Sequence, residues 1–115
     1  MKQKLLNIIV GLCLAVTLPY SMVRWMTQQA TYYRAGEVTA SGEPFDPRAY
    51  TCAVKDRENM GHWYRITYGD KTVYCWANDV MPKNARADFD LSEAAFKRLA
   101  DTRLGRIQVS AKMME

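Results

Sequence analysis

The sequence predicts a small, mainly β domain closed as a barrel, with one short helix late in the chain and an apolar segment in front. Three observations predict this. Short runs of β-branched and aromatic residues recur between clusters of Gly, Pro, Asn and Asp, and short strands at regular spacing suit a small barrel better than an open sheet. Helical spacing of apolar residues occurs once, after Ser92. Residues 5–23 form an uncharged run that does not belong to such a barrel.

Lys2 and Lys4 precede that run and Arg24 closes it. Its length just suffices to cross a hydrocarbon layer, which takes ~20 residues. Residues 1–26 therefore read as a signal anchor or a signal peptide. The run is long for a cleaved signal, and Gln28, Gln29 and Ala30 offer only one of the two small residues that cleavage wants. Two lysines before the span and one arginine after it place the N-terminus in the cytoplasm and the globular part outside. Cys13 lacks the small preceding residue of a lipid-acceptor cysteine, since Leu12 stands there. Residues 27–30 read as a linker and 31–115 as the domain. With 115 residues in all, the chain has room for one domain and not for a dinucleotide-binding fold.

Thr31, Tyr32 and Tyr33 are strand-prone, and the Gly- and Pro-dense stretch 36–47 is a loop. Residues 50–54 and 62–68 read as strands, and Gly69 and Asp70 as the turn into a partner strand, 71–77. There Val73, Cys75 and Ala77 alternate with Thr72, Tyr74 and Trp76. Residues 78–88 read as a loop. Ser92 caps a helix in which Phe96, Leu99 and Ala100 share a face. Residues 106–111 alternate as a last strand.

The formal charge of +4 does not mark a nucleic-acid protein. Three of the 16 basic residues flank the apolar run, and the remainder are scattered among 12 acids, whereas phosphate binding needs a concentrated basic face. Cys52 and Cys75, in an exported domain, are expected to pair as a disulfide, closing a loop worth roughly 3 kcal/mol. Two cysteines and the distant His62 make no four-ligand metal set, and no cofactor is expected.

Several segments resemble the rare lipoprotein A family. Ala30 to Tyr33 followed by Thr39 to Pro47 is similar to its aromatic opening strand and TASGE-x-FDP loop. Tyr50 to Ala53 resembles its LTAA segment, and Gly61 to Thr67 its G-x-x-VRVT strand. Asn78 and Asp79 with Pro82 resemble its ND-x-GP turn, and Phe89 to Ser92 with Ala94, Ala95 and Leu99 its IDLS-x-AA helix. The likeness covers about residues 30–111, and the TASGE-x-FDP loop and the DLS helix are its specific parts. It implies a six-stranded double-psi β-barrel, the fold shared with expansins, barwin and family-45 glycosidases.

The resemblance also implies peptidoglycan glycan strands as the ligand and a bacterial envelope setting. The domain would be held at the inner membrane by residues 1–26, or secreted to the periplasm if these are cleaved. Lytic transglycosylases of the family cut the MurNAc–GlcNAc link and leave a 1,6-anhydro end, and one carboxyl can serve first as acid and then as base. The candidate acids are Glu43, Asp46, Asp79 and Asp90, expected to converge on one groove. Tyr32, Tyr33 and Trp76 are candidate sugar-stacking rings. Val54 stands where catalytic members carry a histidine, and His62 does not replace it. Lytic cleavage, glycan binding without cleavage, and an envelope barrel that meets a protein partner are the three readings that follow.

Overall fold

The computed structural model describes residues 28–115, so the expected anchor or signal segment 1–26 lies outside the described residues. Six strands, β1 (Gln28–Tyr33), β2 (Thr51–Val54), β3 (Trp63–Tyr68), β4 (Lys71–Val80), β5 (Phe89–Ser92) and β6 (Ile107–Met113), close a barrel in the order β1-β5-β2-β4-β3-β6. β1 pairs with β5 and β2 with β4 in parallel, and the other neighbours are antiparallel. The one α-helix among the described residues, α1 (Glu93–Leu99), follows β5 directly.

Three boundaries differ from those the sequence predicts. β1 begins at Gln28, so residues 28–30 belong to the barrel and not to a linker: Gln28, Gln29 and Ala30 are in register with Val109, Gln108 and Ile107. β4 continues through Asn78, Asp79 and Val80, which the sequence reads as loop, because β2 supplies a parallel partner for them. Residues 89–92, read as the approach to the helix, form β5 between β1 and β2.

The core follows the alternation. Ala30, Cys52, Ile66, Val73, Cys75, Ala77, Leu91 and Val109 point inward from the six strands. Phe96 and Leu99 of α1 join the same cluster, each burial worth roughly 1.5–3 kcal/mol. Gly69 turns the β3–β4 hairpin at φ +61°, a conformation that a Cβ would strain. Ser92 ends β5 and starts α1. Its Oγ accepts from the Ala95 amide at 3.2 Å and the Thr51 amide at 3.3 Å, and donates to the Ala49 carbonyl at 2.6 Å.

The expected Cys52–Cys75 disulfide is not formed. Both are buried free cysteines. Their Sγ atoms lie 3.1 Å apart, a thiol hydrogen-bond distance rather than the ~2.05 Å of a bonded pair. The two thiols share a hydrogen bond, and that contact together with burial holds the Cys52 thiol well above its ordinary pKa.

Candidate functional site

A β-bulge builds the site. Cys52 is in register with Ala77, but the next residue, Ala53, is in register with Asp79, so Asn78 is the extra residue on β4. In a regular strand that kept Asn78 in step, strict alternation from Val73, Cys75 and Ala77 would send Asp79 inward. The bulge instead sets Asp79 level with Ala53. Ala53 is also in register with Asp90 on β5, and Asp90 with Thr31 on β1. Thr31, Asp90, Ala53 and Asp79 thus form one row across four strands.

The loop between β1 and β2 folds over the bulge. The Ala40 amide donates to Asp79 Oδ1 at 2.9 Å, and the Ser41 amide to the Asn78 carbonyl at 3.1 Å. Asn78 Nδ2 donates to Glu43 Oε1 at 3.2 Å, tying the Glu43 carboxylate to the residue beside Asp79. Asp79 Oδ1 also accepts from the Val80 amide at 2.9 Å, and Oδ2 from the Tyr33 hydroxyl at 3.1 Å. Three donors on two oxygens suit an ionised carboxylate.

Asp90 is held differently. Burial raises its pKa most, the Thr31 hydroxyl (2.9 Å to Oδ1) opposes this by donating to the charged form, and the negative charge of Asp79 raises it again. Two carboxyl groups therefore sit close enough to couple, one ringed by donors and one biased toward its protonated form. Such a pair suits division into a fixed charge and a proton donor. Burial and the charges of Asp79 and Asp90 also push the Tyr33 hydroxyl far above its ordinary value, which keeps it a donor.

Two surface hollows flank Trp76. One, of about 410 Å³, is bounded by Ser41, Glu43, Arg57, Met60 and Gly61. The other, of about 340 Å³, is bounded by Glu43, Pro44, Asp46, Thr51 and Asn78. Glu43 and Trp76 line both. Of the four candidate acids, Asp79, Asp90 and Glu43 are thus linked through Asn78 and the row across Ala53. Asp46 reaches only the rim of the second hollow. It caps its own turn, accepting from the Arg48 amide at 2.9 Å and from Arg48 Nε at 3.2 Å, and those bonds hold its pKa below the ordinary value.

The candidate rings separate in the same way. Trp76 lies in the groove. Tyr33 faces the acids but stacks on Phe45 at 4.4 Å, so one of its faces is taken. Tyr32 lies on the opposite face of β1 and packs on Phe96 of α1 at 4.8 Å. Thr31, Asn78 and Phe45 are site residues that the sequence reading does not single out. Thr31 lies two positions before Tyr33 and so on its face, a signal present in the alternation. Among the described residues no group of three or more His, Cys, Asp or Glu side chains is placed to hold a metal ion.

Residues 26–111 match the family described as lytic transglycolase. The chain belongs to that family. The rare lipoprotein A-like barrel is its domain, and this lytic transglycolase-family chain also shares its fold with solved structures. A Streptomyces papain inhibitor is 26% identical with a TM-score of 0.68, over 78% of this chain and 94% of the inhibitor. An expansin from Clavibacter michiganensis, solved with cellohexaose, is 23% identical with a TM-score of 0.63. That likeness covers 78% of this chain and 50% of the expansin, so the chain spans about half of the expansin's length. Cerato-platanin 3 from M. perniciosa is 20% identical with a TM-score of 0.55, over 76% of this chain and 93% of that one. Among curated proteins no relative matches this sequence.

Proposed function

We propose that this lytic transglycolase-family barrel acts on peptidoglycan glycan strands in the cell envelope, cleaving the MurNAc–GlcNAc bond without water. Asp90 is the acid and then the base. Its proton passes to the leaving glycosidic oxygen as the bond to the anomeric carbon breaks. The sugar's own C6 hydroxyl then attacks that carbon, and its proton returns to Asp90. Bonds and protons balance with no second reactant, so the widely spaced acid and base pair of an inverting hydrolase is not required. Asp79 supplies the fixed negative charge that favours the cationic transition state and keeps Asp90 protonated. The uncharged run 5–23 supports export of the domain.

One observation carries this reading: Asp79 and Asp90 flank Ala53, and burial and charge raise the Asp90 pKa. The test is digestion of purified sacculi by the full chain. Release of soluble anhydro-muropeptides is expected, falling roughly a hundredfold or more in Asp90→Asn and Asp79→Asn. Release unchanged in Asp90→Asn removes it as the acid.

A second reading, glycan binding without cleavage, has its own observation. Val54, at the position of the family's histidine, is 3% exposed and lies in the barrel core, so no proton-transfer group stands there. Sedimentation with sacculi but no soluble fragments selects this reading.

A further inference from the structure

The outer face of β4 continues past the acids. Tyr74 and Trp76 point outward from it, and the bulge adds Asp79 to the same side. At about 3.3 Å per residue, Trp76 lies roughly 10 Å from Asp79 along the strand and Tyr74 roughly 16 Å. Trp63 on β3 is in register with Trp76, and their rings are 5.4 Å apart. Trp63 is 48% exposed and Tyr74 49% exposed, an unusual amount of free ring surface for so small a barrel.

We infer that Trp76, with Trp63 beside it on β3, and Tyr74 form successive saccharide subsites that carry an extended oligosaccharide away from the acids along β4. This rests on the glycan reading above and deepens it by assigning where a long strand lies. The chemistry of the two hollows argues for a sugar. Each sets the Trp76 indole against polar groups, Ser41, Glu43 and Arg57 in one and Glu43, Thr51 and Asn78 in the other. A pyranose ring has apolar C–H faces and a rim of hydroxyls, so it stacks on an indole while its edge meets carboxylate, hydroxyl and guanidinium groups. The hollows are of the size that takes small ring systems rather than a flat protein surface. Because Tyr74 and Trp76 follow one strand, an occupant that reaches both must be extended and longer than a single unit.

The experiment is titration of the full chain with the disaccharide and the hexasaccharide of β-1,4-linked N-acetylglucosamine, followed by tryptophan emission and calorimetry. The hexasaccharide is expected to bind more tightly than the disaccharide. Trp63→Ala and Tyr74→Ala should each weaken the hexasaccharide about fivefold or more, with Trp63→Ala also weakening the disaccharide and Tyr74→Ala affecting it less than the hexasaccharide. Both side chains are half exposed, so truncation leaves the core in place. Equal hexasaccharide affinity in wild type and both variants, or no gain from disaccharide to hexasaccharide, overturns the subsites while the glycan reading stands. Binding of neither sugar by the wild type overturns both.

Discussion

Asp79 and Asp90 are in register with the same residue, Ala53, from opposite sides of β2. A single small side chain therefore separates the strand positions of two carboxyl groups. Neither pairing is local: one is a parallel β2–β4 contact interrupted by a bulge, the other an antiparallel β2–β5 contact. The site's electrostatics follow from strand order, since β2 lies between β4 and β5.

The pH dependence of Asp90 follows. In the unfolded chain its carboxyl ionises near the ordinary 3.8, and in the folded chain at a higher pH. Between these values the folded state keeps a proton that the unfolded state has lost. Asp90's contribution to stability is thus fully present below 3.8 and lost as pH rises through its folded value. Urea midpoints of wild type and Asp90→Asn, compared across this window, should diverge from each other with pH and run parallel above it. Lines parallel throughout would contradict the coupling. Cleavage by the wild type should also decline as pH climbs through the same folded value, because the acid form is the donor.

Removing the bulge tests its role. Deletion of Asn78 places Asp79 directly after the inward Ala77, so Asp79 keeps its outward direction opposite Ala53, while the bulge carbonyl that accepts from the Ser41 amide is lost. It also removes the amide that donates to Glu43. We expect the thermal midpoint to fall by roughly 8–16 °C, for two lost hydrogen bonds at about 1 kcal/mol each and about 4–8 °C per kcal/mol for a domain of this size. Asn78→Ala keeps the residue count and should cost only about 1 kcal/mol. If the deletion and the substitution melt together, the backbone of the bulge contributes nothing beyond the Asn78 side chain.

Tyr33 joins two parts of the site. Its ring stacks on Phe45 of the covering loop, and its hydroxyl donates to Asp79. Tyr33→Phe keeps the stack and loses the donor, so a stability loss of about 1–2 kcal/mol is expected in urea unfolding. Tyr33→Ala loses both and should cost more, with the loop 37–48 becoming the first site of proteolysis. Equal losses in the two variants would show that the stack contributes nothing.

The sequence makes β3, most of β4 and β6 legible because their residues alternate over enough positions to show a period of two, and β2 legible as a short strand-prone run after a loop. β5 is not legible from alternation. It has four residues, and Asp90 and Ser92 within it are the residues that also announce a helix start. Asn78 and Asp79 read as loop because both types favour turns, yet β2 gives their backbone a parallel partner that no local signal predicts. The same limit applies to the site. Glu43, Asp79 and Asp90 can be chosen as acids from their motifs, but which of them meet depends on pairings over dozens of residues. Asp46 carries the same motif signal and turns out to serve Arg48. Tyr32 and Tyr33 are neighbours in sequence, and the pleat of β1 sends only one of them toward the acids.

Ser92 gives the sharpest stability prediction, because the sequence role and the structural role differ in size. As a helix cap alone it is worth about 1 kcal/mol. In the barrel it is fully buried and also satisfies the Thr51 amide and the Ala49 carbonyl. Removing the hydroxyl leaves those two groups without a partner, at roughly 1–3 kcal/mol for each buried group. Ser92→Ala should therefore cost about 3 kcal/mol or more. Asp101 caps the 3₁₀ turn at Thr102–Leu104 by accepting from the Arg103 amide at 2.9 Å, but it does so in solvent. Asp101→Ala should cost less than Ser92→Ala, since water replaces the lost partner. Urea unfolding of the two variants, with unchanged slope, measures the difference. Equal losses would mean that the Ser92 hydroxyl acts on α1 only and does not tie β2 to the end of β5.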